Sequence, residues 1–121
     1  MTTSNVAVTI VGGIHLLIAT AEMFLWKRPF VYGIFERLGL SQVEADKVSP
    51  IVANAGLYNS FLAVGLIWSA LSHADLLPMK LYLLSCVAAA GLFGAFTLKW
   101  SILLVQTVPS LVAIWLLMAT K

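Results

Sequence analysis

Apolar residues along this chain fall into long runs that polar or charged residues interrupt only rarely. A helix needs about 20 mostly apolar residues to cross the hydrocarbon layer of a membrane. The pattern therefore predicts an all-α, polytopic membrane protein, whose four transmembrane helices form an antiparallel bundle and a single domain over residues 1–121. The four predicted spans are residues 6–26, 51–72, 79–98 and 101–119.

Only the first connection between these spans, residues 27–50, is long. Ser41 and Glu44 have the spacing of a capping box, which predicts that a helix begins there. Before it, apolar residues repeat at helical spacing beside Glu36 and Arg37. This predicts a short amphipathic helix on the cytoplasmic membrane surface, or an ordinary connecting helix that covers the bundle. The apolar residues concerned are Phe30, Ile34, Phe35 and Leu38.

Composition agrees with this class of protein. Hydrophobic residues make up 61% of the chain and charged residues 10%, whereas about 25% of a soluble domain is charged. The net charge of +2 reflects a small excess of cations in a nearly uncharged chain, so it gives no argument for binding nucleic acid. Cys86 is the only cysteine, which excludes a disulfide within the chain and disfavours a metal site built on cysteines.

The basic residues indicate how the bundle is oriented. Cytoplasmic loops of membrane proteins carry an excess of Lys and Arg. Five of the seven basic residues lie on the side of the long connection, which is therefore predicted to face the cytoplasm, with both termini outside. The cytoplasmic set is Lys27, Arg28, Arg37, Lys47 and Lys99, and the opposite set is Lys80 and Lys121.

Two ionisable residues interrupt the first span. His15 and Glu22 are seven residues apart, which is nearly two helical turns, so their side chains share one face of the helix. Ionisable side chains inside a spanning helix are costly and usually mark a functional interior. Glu22 and His15 are therefore candidate catalytic residues, because a carboxylate and an imidazole can both move protons.

Polar residues on the other spans fall at similar depths in the cytoplasmic half of the bundle. Tyr58 is the third candidate catalytic residue, and Asn54, Asn59 and Gln106 are candidate ligand-binding residues. One predicted inward stripe of the second span contains Asn54, Tyr58, Phe61, Gly65 and Ser69. Asn59 is about 100° around the helix from Tyr58, so it is expected to face a different neighbour or another subunit.

Each of these residues also has a structural interpretation. Asn59 and Gln106 can simply form hydrogen bonds between helices, which contribute about 1 kcal/mol each. His15 can be a buried imidazole with its hydrogen bond satisfied. Glu22 lies little more than one turn from Lys27, so its side chain can extend toward the cations at the membrane surface.

Three segments carry a resemblance to a known family: EMFLW at residues 22–26, NAGLYNSFLA at 54–63, and Val-Gln at 105–106 followed by Pro109. They resemble the domain-of-unknown-function 1304 family of small bacterial membrane proteins, over nearly the whole chain. The resemblance implies a four-helix protein of the bacterial inner membrane. Ala55 stands where the family is expected to have Gln, and the family name implies no activity.

Three classes of function remain open. The first is a polar pocket that binds or transforms a small lipophilic molecule, and a narrower version makes His15 the axial ligand of a haem, by analogy with small four-helix membrane isomerases that open epoxides. The second is an oligomeric transporter or channel that uses Glu22. The third is a structural or accessory membrane subunit. The expected partners are the lipid bilayer, further copies of this chain and a small lipophilic ligand, with no nucleic acid.

Overall fold

A computed structural model describes residues 1–34 and 39–120, and these residues form helices and turns with no β-strand among them. The predicted all-α class is therefore confirmed for this part of the chain. Two helices include a π-helical segment, in which hydrogen bonds join residues five apart rather than four. The elements are α1 (Thr3–Thr20), π1 (Ala21–Leu25), α2 (Pro29–Tyr32), α3 (Gln42–Leu71), α4 (Leu77–Thr97), π2 (Leu103–Thr107) and α5 (Val108–Ala119).

Three helices are long and apolar enough to cross a membrane: Thr3–Leu25, Gln42–Leu71 and Leu77–Thr97. A fourth apolar helix, Leu103–Ala119, is shorter, with five residues in π2 and 12 in α5. Helices thus occupy all four segments in which the apolar runs predict them.

Helix α3 begins at the predicted capping box. The backbone N–H of Ser41 donates to Oε2 of Glu44 at 2.8 Å, and the Ser41 hydroxyl accepts from the backbone N–H of Glu44. The helix then continues through Pro50, so it is longer than the predicted span. Pro50 has no N–H for the carbonyl of Asp46, but Asp46 is exposed and water can satisfy that group.

Helix α2 covers only the start of the predicted amphipathic segment. Phe30 and Ile34 are 78% and 53% exposed, so their apolar side chains lie on the surface of the protein. The remainder of that prediction, Phe35 to Leu38, lies outside the described residues.

The buried core lies at the end of the molecule away from the long connection. At this end Nζ of Lys80, a residue that is only 7% exposed, donates to Oδ1 of Asn5 at 2.8 Å. This hydrogen bond joins the start of α1 to the start of α4. The core itself is Val8, Val11, Leu66, Ala70, Leu84, Val87, Ala113 and Leu117.

Small residues let α1 and α3 approach closely. A Cβ on Gly12 would lie 3.2 Å from the carbonyl oxygen of Ala63, and a Cβ on Gly56 would lie 3.1 Å from that of Ala19. Early residues of α1 thus meet late residues of α3, and late residues of α1 meet early residues of α3. Close packing of this kind is typical of helices that associate in membranes.

The predicted inward stripe of the second span is wrong in its first half. Asn54, Tyr58 and Phe61 are exposed, whereas Gly65 is half-buried and Ser69 is buried. The buried face of α3 instead repeats small residues every seven positions, because these allow the close approach to α1. These residues are Gly56, Ala63 and Ala70.

Candidate functional site

A cavity of about 430 Å³ lies at the end of the molecule that carries the long connection. Its walls come from the end of α1, from π1, α2 and α3, from the end of α4 and from π2. Most of the bordering side chains are apolar, such as Ile18, Ile102 and Val105. The polar side chains that border it include Glu22, Asn59, Gln106 and Lys99.

Glu22 and Asn59 are in direct contact at this cavity. Nδ2 of Asn59 donates a hydrogen bond of 2.7 Å to Oε2 of Glu22, and both residues are half-buried. No other hydrogen bond from the described residues reaches the Glu22 carboxylate. The carboxylate is therefore oriented by one amide and retains acceptor capacity for a group in the cavity.

Glu22 and Gln106 each lie within a π-helical segment, Glu22 in π1 and Gln106 in π2. A π segment places one additional residue in a turn and so changes the direction of nearby side chains, and such segments are frequent at functional sites. Pro109 gives a reason for π2, because its ring cannot sit against the carbonyl of Val105 in a regular α-helix. The Ser110 hydroxyl then donates to the carbonyl of Gln106 at 2.6 Å.

A glycine on a neighbouring helix packs against each π segment. A Cβ on Gly56 would lie 3.0 Å from Cβ of Glu22. A Cβ on Gly91 would lie 2.5 Å from Oγ1 of Thr107 and 2.8 Å from Cβ of Gln106. Both polar residues are therefore positioned by a contact that only glycine permits without a shift.

Two residues near the cavity form structural hydrogen bonds that the sequence did not indicate. Oγ1 of Thr107 donates to the carbonyl of Ala88 at 3.1 Å and so holds π2 against α4. Nζ of Lys99 donates to the carbonyl of Ile34 at 3.2 Å. Two small residues, Gly91 on α4 and Thr107 on the last helix, were the only indication in the sequence that these two helices approach closely at this point. Lys99 was interpreted only as a charge that sets orientation, and nothing in its sequence surroundings indicates the second.

Asn54, Tyr58 and His15 do not border the cavity, so they do not share it with Glu22 as the hypothesis of one polar pocket expects. A helix turns about 100° per residue, so Tyr58 and Asn54 point about 100° and 140° away from Asn59. They face outward because Asn59 faces Glu22. His15 is 1% exposed, and its Nδ1–H donates to the carbonyl of Val11 at 3.0 Å. His15 is therefore a buried imidazole with a satisfied hydrogen bond, as its structural interpretation expects.

A haem ligated by His15 does not fit this arrangement. The imidazole is enclosed by protein, one ring nitrogen is already engaged, and the residue is not part of the cavity wall. The described residues that border the cavity include no His, Cys or Met, the usual axial ligands of haem apart from Tyr. Among the described residues, no group of three or more His, Cys, Asp or Glu is placed to hold a metal ion.

The fold and the cavity together define an all-helical protein with several helices suited to a membrane and a largely apolar cavity that has a few polar groups. The chain belongs to the family described as protein of unknown function DUF1304, whose model matches residues 9–118. This match confirms the resemblance seen in the motifs at residues 22–26, 54–63 and 105–109. No curated protein and no solved structure matches the chain.

Proposed function

We propose that this membrane protein binds a small lipophilic molecule with one polar group in the cavity beside Glu22. The observation that carries the proposal is that Glu22 and Gln106, each in a π segment, border one cavity together with Asn59. Ligand sites are usually apolar cavities of about 300–1,000 Å³ with a few polar groups that fix orientation. The volume and the lining of this cavity agree with that description.

The polar groups favour a ligand with a hydrogen-bond donor or a positive charge at one end. Glu22 supplies acceptor oxygens, and Gln106 supplies both a donor and an acceptor. Apolar walls such as Ile102 and Val105 would contact the remainder of the ligand. If a proton is transferred in this cavity, Glu22 is the candidate proton donor or acceptor, since Tyr58 and His15 do not border the cavity. Their catalytic roles remain predictions.

We also propose how the protein lies in a bacterial plasma membrane. Four helices cross it in an antiparallel bundle, since Leu103–Ala119 has a length at the lower limit for a span of about 17–25 residues. The end with the cavity faces the cytoplasm, because most of the basic residues belong to that end. Both termini then lie outside the cytoplasm. The packed core around Leu66 and Leu84 at the opposite end supports a binding site over a channel through one protomer.

The test is native mass spectrometry of the full chain in lipid nanodiscs, with identification of any small molecule that is released. We expect wild type to retain a lipophilic molecule, and Glu22→Gln and Gln106→Leu to retain several-fold less. Asp46→Asn is the matched control, because Asp46 is an exposed carboxylate away from the cavity. Equal retention by Glu22→Gln and Asp46→Asn would contradict the proposal. If wild type retains nothing, the accessory-subunit hypothesis is favoured.

A further inference from the structure

The outward face of α3 carries exposed polar, aromatic and aliphatic side chains. Asn54 is exposed, and Ile51, Tyr58 and Phe61 are 73%, 62% and 57% exposed. The spacing of these four residues is three, four and three, which is the spacing of a helix–helix seam. We propose that this face of α3 binds the same face of a second copy of the chain about a two-fold axis.

The face contains two polar groups, the side-chain amide of Asn54 and the hydroxyl of Tyr58. None of the described residues forms a hydrogen bond with the side-chain amide of Asn54 or the hydroxyl of Tyr58. With Leu71 at one boundary of the hydrocarbon layer and 1.5 Å per residue, Asn54 lies about 26 Å along a core of about 30 Å. Asn54 is therefore near the far boundary but still within the hydrocarbon layer, where lipid tails offer no hydrogen bond and an amide gains from a protein partner.

The face is complementary to itself, which favours a second copy of the chain as the partner. An amide group is both donor and acceptor, so Asn54 of each copy satisfies the other across a two-fold axis. None of the four residues of this face is charged, and Lys47 lies one helical turn beyond it. A single Asn in a seam of apolar residues fixes the register of two helices. A different protein would need to supply an amide at the same depth.

The two aromatic residues of this face already pack against each other. The rings of Tyr58 and Phe61 pack edge to face, with centroids 5.9 Å apart and an angle of 87° between their planes. Ordered aromatic side chains lose little rotamer freedom when they bind a second helix. The face points away from Asn59 and the cavity, so this association is independent of the proposed ligand.

Cross-linking of single cysteines tests the proposal in membranes. In a Cys86→Ser background, which removes the native cysteine, Ile51→Cys is expected to form a disulfide-linked dimer on oxidation with copper phenanthroline. Leu104→Cys is the matched control, since Leu104 is 53% exposed near the same end of the molecule but on π2. Equal cross-linking at residues 51 and 104 would overturn the proposal.

The role of the amide is tested in the Ile51→Cys protein. Asn54→Ala is expected to lower the initial cross-linking rate roughly fivefold, the loss that one interhelical hydrogen bond implies. Asn54→Gln is expected to keep most of the rate, because it keeps the amide. Single-molecule photobleaching of the labelled full chain in liposomes should show two steps. One-step traces, or an unchanged rate in Asn54→Ala, would refute the two-fold contact.

Discussion

Gly91 of α4 lies against Thr107 of π2 so closely that a Cβ on Gly91 would stand 2.5 Å from the threonine Oγ1. The same Cβ would stand 2.9 Å from the backbone nitrogen of Thr107, which has no freedom to rotate away. The contact sets the distance between α4 and π2, and thereby the position of Gln106 at the cavity.

Substitution of this glycine should displace π2. We expect Gly91→Ala to destabilise the protein by about 1–3 kcal/mol, the usual cost of adding a methyl group to a packed interior. It should also reduce ligand retention, because Gln106 moves with π2. Thermal unfolding in detergent and native mass spectrometry measure the two effects.

Gly13→Ala is the matched control for that experiment. A Cβ on Gly13 meets nothing within 4 Å, and Gly13 also lies inside a helix. Alanine there should be neutral or stabilise by about 0.5–1 kcal/mol, because glycine is unfavourable inside a helix. If the two alanine variants unfold at the same temperature, the close contact at Gly91 does not constrain π2.

Gly56 should be equally sensitive on the other side of the cavity. Alanine at this position would meet the carbonyl oxygen of Ala19 and Cβ of Glu22, neither of which can rotate away. We expect Gly56→Ala to lower the unfolding temperature by several degrees and to weaken the hydrogen bond between Glu22 and Asn59. Gly65→Ala is the comparison, since the nearest atom there is a methyl group of the flexible Leu83 side chain. A larger effect at Gly65 than at Gly56 would be evidence against this account.

The hydrogen bond between Glu22 and Asn59 should be measurable as a coupling energy. Asn59→Leu leaves the half-buried carboxylate without its amide donor, and such a loss costs about 1–3 kcal/mol. Glu22→Leu in the same chain should remove most of that penalty. A double-mutant cycle of unfolding free energies in mild detergent is expected to give a coupling of about 0.5–3 kcal/mol. Additive effects would mean that the two side chains do not interact in the folded protein.

Trp26 should hold the long connection in place. Its Nε1–H donates to the carbonyl of Ala45 at 2.9 Å, and the residue is 5% exposed. We expect Trp26→Phe to cost about 1 kcal/mol, the contribution of a typical hydrogen bond, and to increase hydrogen exchange in residues 27–34. Trp115→Phe is the control, because Trp115 is 67% exposed. Similar exchange in both variants would show that the indole does not hold the long connection in place.

The sequence predicted α1 better than α3, and the reason is physical. The predicted shared face of His15 and Glu22 in α1 is the inward one: His15 is buried and Glu22 half-buried, and the small residues Gly12 and Ala19 are buried with them. Polar and small residues occupy the same face there. In α3 they occupy different faces, and close approach through Gly56 determined which one turned inward. The prediction had followed the polar residues Asn54 and Tyr58.

The pattern of apolar and polar positions predicted some features of the site and could not predict others. The prediction that Asn59 faces a different neighbour from Tyr58 is confirmed, although that neighbour is Glu22 itself. Gln106 was correctly grouped with Glu22, since both border the cavity. The π segments were not predicted. Pro109 is a local reason for π2, but no proline follows π1 at the same spacing, and glycines of α3 and α4 pack against both segments.

The hydrogen bond between Asn5 and Lys80 has a consequence for the order in which the protein assembles. The two residues are 75 positions apart, so this contact cannot form until the first residues of α4 have been synthesised. Helix α3 is available to cover one side of α1 before then, but the partner for Asn5 is not. The start of α1 can therefore gain this hydrogen bond only after α4 has begun to emerge, so packing against α3 can come before this contact but cannot include it.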